Sequence, residues 1–132
     1  MEYRVYDTAK GKWIRHRVYL SPEGVLFTVK RSLFGWTKGF APESYIYHRA
    51  IDLYDRNGEM VYEGDYIRAQ VEEDRFVIGL VAYAYEMSAW IILCDDNMFY
   101  TLGSDVAEHI EIIGNVFDGY EKEHEESEEA VE

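Results

Sequence analysis

Asp55-Arg56-Asn57-Gly58-Glu59-Met60-Val61-Tyr62-Glu63-Gly64-Asp65-Tyr66-Ile67-Arg68 decides the fold class. Asn57-Gly58 predicts a hairpin turn, because both residues tolerate positive φ. Met60-Val61-Tyr62 is a short apolar hop. Gly64 lets the chain bend sharply, and Asp65 suits accepting hydrogen bonds from neighbouring backbone amides. Tyr66 to Val71 then reads as a strand. Turn, hop, turn and strand in such quick succession are the marks of a small β-meander.

Working outward, the second half continues in the same style. Glu72-Glu73-Asp74-Arg75 is a charged turn. Phe76 to Glu86 is a long strand, apolar on both faces, with Gly79 where a bend or bulge would sit. Ala89 to Leu93 and Met98 to Leu102 follow, separated by an Asp95-Asp96-Asn97 turn. Gly103 to Glu108 predicts one helical turn with Ser104 as N-cap. His109 to Phe117 is a last strand, interrupted at Gly114-Asn115. In the first half, Tyr3 to Asp7, Lys12 to Leu20, Val25 to Lys30 and Ser44 to Tyr54 read as strands. Arg31 to Pro42 reads as irregular, since Gly35, Gly39 and Pro42 break the pattern. Short strands at this spacing predict a mainly β chain, built as a small barrel or sandwich.

The chain of 132 residues carries a net charge of −13, unevenly spread. Residues 1–50 hold +5, residues 51–117 hold −11 and residues 118–132 hold −7. An acidic body opposes ordinary phosphate-backbone binding, which draws its affinity from Lys and Arg. The single Cys94 rules out an internal disulfide and a cysteine zinc site. The opening residues contain no apolar signal-peptide core, and no run reaches the roughly 18 apolar residues of a membrane helix. The chain therefore reads as cytoplasmic. Gly119 to Glu132 contains too little apolar surface to offset its ordering entropy, so it predicts an acidic, frayed or weakly helical tail.

Tyr54 to Arg68 resembles the central signature of the YopX family of phage and prophage proteins. The matching residues are Asp55, Asn57, Gly58, Tyr62, Glu63, Gly64, Asp65, Ile67 and Arg68. Ile112-Ile113-Gly114-Asn115-Val116-Phe117 resembles the family's closing strand. Tyr3-Arg4-Val5-Tyr6-Asp7 followed by Trp13 resembles its opening. Ile51-Asp52-Leu53 and Asp118-Gly119 depart from the family's usual Thr-Gly-Leu and Asn-Pro. The resemblance implies an SH3-like barrel in the second half and a home in a phage, prophage or mobile element. It implies no reaction. The expected division is an N-terminal β lobe over 1–54, a barrel lobe over 55–118 and the tail over 119–132. The signature residues, with Gly114 and Asn115, are expected to serve the turns, with a ligand role for Glu63 and Asp65 as the alternative.

No catalytic constellation is present, so no enzyme activity is expected. There is no P-loop and no Gly-x-Ser-x-Gly elbow. His124-Glu125-Glu126-Ser127-Glu128 has Glu128 where a zinc protease needs its second His. Asp55-x-Asn57-Gly58 fails as a calcium loop, because Leu53 and Gly64 fall on ligand positions. His16, His48, His109 and His124 have no ligand spacing, and neither metal nor cofactor is expected. One patch stands out: Lys30, Arg31, Phe34, Trp36, Lys38 and Phe40 interleave cations with aromatics. Such a segment covers a core, anchors a protein partner through hot-spot residue types or stacks nucleic-acid bases. The favoured expectation is a non-enzymatic binding module acting on a host or phage protein, with self-association as a related outcome. One alternative is an acidic DNA mimic that uses Glu72, Glu73, Asp74, Asp95 and Asp96 against a nucleic-acid-binding protein. The other is nucleic-acid binding by the 30–40 segment.

Overall fold

The computed structural model describes residues 2–95, 98–102 and 109–120. The chain divides into two compact units, Met1–Arg49 and Ala50–Glu132. The described residues form thirteen strands and no helix. The sheets are curled and include a half-barrel.

The first unit holds β1 (Tyr3–Asp7), β2 (Lys12–Ile14), β3 (Val18–Leu20), β4 (Leu26–Ser32), β5 (Gly35–Phe40) and the first half of β6 (Tyr45–Tyr54). β1 pairs antiparallel with both β2 and β6, with Tyr6 opposite Trp13 and Tyr3 opposite Arg49. β3, β4 and β5 form a separate three-stranded sheet. Lys12 to Leu20 is therefore two strands in two sheets and not one. Arg17 sits at φ 60°, a conformation that no continuous strand accommodates. The Tyr3 hydroxyl links the sheets, accepting from the Leu20 amide at 3.1 Å and donating to the Val18 carbonyl at 3.4 Å.

The expected irregular segment from Arg31 to Pro42 is instead the β4–β5 hairpin. Its register runs from Phe27 opposite Phe40 to Ser32 opposite Gly35. Gly35 adopts φ 118° beside the two-residue Leu33-Phe34 tip. The glycines accommodate the turn and an edge strand here, where the sequence reading took them as breakers.

Asp7 pins the β1–β2 turn. It is 2% exposed, and its Oδ1 accepts from the amides of Ala9 and Lys10 at 3.0 and 3.3 Å. Burial pushes its carboxyl up. The hydrogen bond with Ser44, those two amides and the Lys10 ammonium outweigh burial and hold it below the ordinary aspartate range. A carboxylate with a lowered folded-state pKa contributes stability that is complete above its unfolded pKa. That contribution is lost as pH falls through the folded value. Asp7→Asn is therefore expected to flatten the loss of stability below about pH 4. Urea unfolding of both proteins between pH 3 and 7 measures this. Parallel acid limbs would refute it.

The second unit holds the rest of β6, then β7 (Met60–Tyr62), β8 (Asp65–Glu72), β9 (Arg75–Ala84), β10 (Ala89–Cys94), β11 (Phe99–Thr101), β12 (Ile110–Asn115) and β13 (Gly119–Tyr120). Six of these form one sheet in the order β11-β10-β9-β8-β12-β13. Val61, Ile67, Ala69, Val81, Ile92 and Ile110 make its buried core. Each fully buried Val or Ile side chain contributes roughly 1.5–3 kcal/mol. Gly79 makes no bulge: β9 runs through it in register with both neighbours. A Cβ there would collide with Ile92 Cγ2 and lie 2.8 Å from the Leu93 carbonyl oxygen, so this glycine permits close approach. Gly119-Tyr120, expected to open the tail, is strand β13 against Gly114 and Asn115. The expected helical turn at 103–108 and the tail from 121 onward lie outside the described residues.

Candidate binding surface

The signature residues are spent on turns. Asp55 is 6% exposed. Its Oδ1 accepts from the amides of Asn57 and Glu59, both at 2.9 Å, and its Oδ2 accepts from the Ile112 amide at 3.1 Å. Gly58 takes φ 78° and closes the turn through its amide to the Asp55 carbonyl at 3.0 Å. Asp65, 1% exposed, accepts the Tyr62 amide on Oδ2 at 2.8 Å. Gly64, at φ 84°, donates to Val81 and accepts from Val116. Asn115 Oδ1 accepts from the amides of Phe117 and Asp118 at 3.0 and 2.9 Å, and its Nδ2 donates to Asp118 Oδ2 at 3.0 Å. Tyr62 and Glu63 are half-buried beside these turns.

The acidic candidates lie at exposed turns. Glu72, Glu73 and Asp74 stand at the β8–β9 turn and Asp95 follows β10. Strand direction puts both turns at one end of the sheet. Cys94 lies opposite Gly79, whereas the charged turn begins beyond Arg75, four residues further along β9. That stagger separates the two groups by about 13 Å along the strand. Asp96 lies outside the described residues. Among the described residues, no three His, Cys, Asp or Glu side chains cluster in a way that could hold a metal ion. No helix among them is long and apolar enough to cross a membrane.

The basic–aromatic candidates have a different geometry. Residues directly opposite in an antiparallel pair share a face, and alternate residues along a strand do too. Arg31 stands opposite Trp36, Val29 opposite Lys38, and Phe27 opposite Phe40. Tyr19 on β3 stands opposite Phe27, and the Val29 amide bonds the Arg17 carbonyl. One face of the sheet therefore carries three rows. Tyr19, Phe27 and Phe40 make an aromatic row, Arg17, Val29 and Lys38 a mainly basic one, and Arg31 and Trp36 the third.

Rings and cations on this face touch. The Phe27 and Phe40 rings stack at 5.3 Å. The Lys38 ammonium lies 4.0 Å from the Phe27 centroid, and the Arg17 guanidinium 5.3 Å from that of Trp36. Tyr19, Trp36 and Phe40 are 57%, 59% and 78% exposed. Of the six sequence candidates, Arg31, Trp36, Lys38 and Phe40 share this face. Phe34 projects from the tip at 99% exposure, and Lys30, opposite Thr37, belongs to the other face. Arg17, Tyr19 and Phe27 are the members that sequence reasoning missed. The two-residue period of Phe27-x-Val29-x-Arg31 and Trp36-x-Lys38-x-Phe40, mirrored about Leu33-Phe34, is the signal that finds Phe27.

The sequence pattern of the family described as YopX protein matches residues 2–121. The chain belongs to the YopX family. Two solved structures share its fold. Protein YopX from Bacillus subtilis is similar with a TM-score of 0.54 at 13% identity, covering 87% of this chain and 91% of its own. Protein EF1440 from Enterococcus faecalis is similar with a TM-score of 0.50 at 17% identity, covering 87% of this chain and 92% of its own. No curated protein matches the chain. The paired turns of Asp55 and Asp65 lie within the stretch that the YopX family pattern covers.

Proposed function

We propose that this YopX-family protein is a non-enzymatic binding module of phage or prophage origin. It works in the host cytoplasm by laying the Tyr19–Trp36–Phe40 face of β3–β4–β5 on a host or phage macromolecule. The observation that carries this reading is the exposure of Tyr19, Trp36 and Phe40 on one face with Arg17, Arg31 and Lys38. Rings left in water at this density mark a contact surface, because folding alone gains nothing from exposing them. Trp, Tyr and Arg are also the residue types that dominate interface energetics, which supports a protein partner.

The test is affinity capture from host and phage-infected lysate, with and without nuclease, using the wild type and Trp36→Ala/Phe40→Ala as baits. A stoichiometric partner held by the wild type and lost by the double variant is the expected result. Identical profiles from both baits would sink the reading. A second reading, an acidic mimic that occupies a DNA-binding groove, is favoured by the net −18 of Ala50–Glu132. It predicts that neutralising Glu72, Glu73, Asp74 and Asp95 abolishes inhibition of a DNA-binding target.

A further inference from the structure

We infer that the β3–β4–β5 face binds single-stranded nucleic acid. This inference rests on the reading of that face as the working surface and names its partner class. Three observations carry it. The first is the order of the rows. A line of three rings crosses three strands, a line with two cations lies beside it, and Trp36 with Arg31 lies beyond. Neighbouring strands are about 4.8 Å apart and alternate residues about 6.7 Å apart. The platform is therefore roughly 10 Å wide and 13 Å long, with ring faces and charges alternating along it. Bases stack on the rings of such a platform while phosphates meet the cations between them.

The second observation is charge. The face carries Arg17, Arg31 and Lys38 and no carboxylate. Glu23, in the β3–β4 turn, is the one acid between residues 12 and 40. Met1–Arg49 as a whole holds nine Lys/Arg against four Asp/Glu, or +5, within a chain of −13. Charges further away than about 8 Å are largely screened at physiological salt, so the local sign governs contact. The third observation is the form of the surface. A duplex hides the base faces that the rings would stack on, whereas a single strand offers them. An irregular segment would give no shared face. The hairpin supplies one, a continuous platform of rings and cations long enough for a single strand to lie on.

The test is fluorescence anisotropy of the full chain with fluorescein-labelled dT20, rU20 and a 20-base-pair duplex. Both single strands, or one of them, should bind at micromolar protein, with the duplex at least tenfold weaker. The DNA and RNA arms tell which sugar the face prefers. With three cations on phosphates, the logarithmic salt slope should be about −2 and should fall by about 0.7 in Lys38→Ala or Arg31→Ala. Trp36→Ala should weaken binding about tenfold, and Trp36→Phe should restore most of it. Tyr85→Ala, at a 76% exposed ring in the second unit, should change nothing. No anisotropy change with either strand up to about 100 μM protein, the weak end of non-specific affinity, would overturn the inference. Equal binding of duplex and single strand, or indifference to Trp36→Ala, would also overturn it. A nuclease-resistant protein partner lost in Trp36→Ala/Phe40→Ala, without oligonucleotide binding, would leave the surface reading standing and remove only the nucleic acid.

Discussion

Asp55→Ala is expected to cost about 3–5 kcal/mol of stability. Three backbone amides donate to this one carboxylate, from Asn57, Glu59 and Ile112. Leaving a buried donor without its acceptor costs about 1–3 kcal/mol. Alanine removes the acceptor from all three. The thermal midpoint should drop by about 10–20 °C. Asp55→Asn separates the two halves of the effect. Its Oδ1 can still accept the turn amides, while its Nδ2 turns a donor towards the Ile112 amide. Stability should therefore rank wild type, then Asn, then Ala, with the Asn variant losing hydrogen-exchange protection first at Ile112. An Ala variant within about 0.5 kcal/mol of wild type, the ordinary range for an exposed position, would remove Asp55 as the tie between this turn and β12.

Gly114→Ala carries the second largest effect, and its cause is steric. A Cβ at Gly114 would collide with the Gly119 carbonyl oxygen and lie 2.8 Å from Tyr120 Cβ. The colliding atom is backbone, so no rotamer change relieves it. β13 must draw away from β12, and the Tyr66–Tyr120 ring contact at 4.9 Å opens with it. Overpacking of this kind costs about 1–3 kcal/mol. Gly39→Ala is the matched control. Nothing lies within 4 Å of its added Cβ, and its φ is outside the left-handed region. It should shift stability by no more than about 0.5 kcal/mol. Urea unfolding of the two variants side by side decides the matter. Equal tolerance at both positions would show that the strand β13 yields freely.

Much of the second unit was legible because its apolar alternation is strong and its turns carry their own chemistry. Asn57-Gly58, Gly64-Asp65 and the run from Phe76 announce hairpin, bend and central strand without help from the rest of the chain. The family's signature was legible for the same reason: its residues act within a few positions of each other. Gly79 was misread because a glycine in a strand has two uses, a bulge or a close approach, and only the position of Ile92 distinguishes them. The first unit hid more. Arg17 breaks a run that looks continuous, since a positive φ at an arginine leaves no mark in the sequence. The hairpin at residues 26–40 was obscured by its glycines and by the absence of a buried face on β5, where every residue is exposed. Candidate residues were therefore found by type, whereas their arrangement into rows depended on a register that composition does not encode.

The Asp55–Ile112 hydrogen bond spans 57 positions. On a ribosome adding about 5–20 residues per second, Ile112 follows Asp55 by about 3–11 s. The pairs β1–β2, β1–β6, β3–β4 and β4–β5 all lie within Met1–Arg49, while β6 runs on to pair with β7. Those four pairs are complete in sequence before β12, a partner of β8, has been made. Translation thus completes the strands of the basic unit before β12 of the acidic unit has been made.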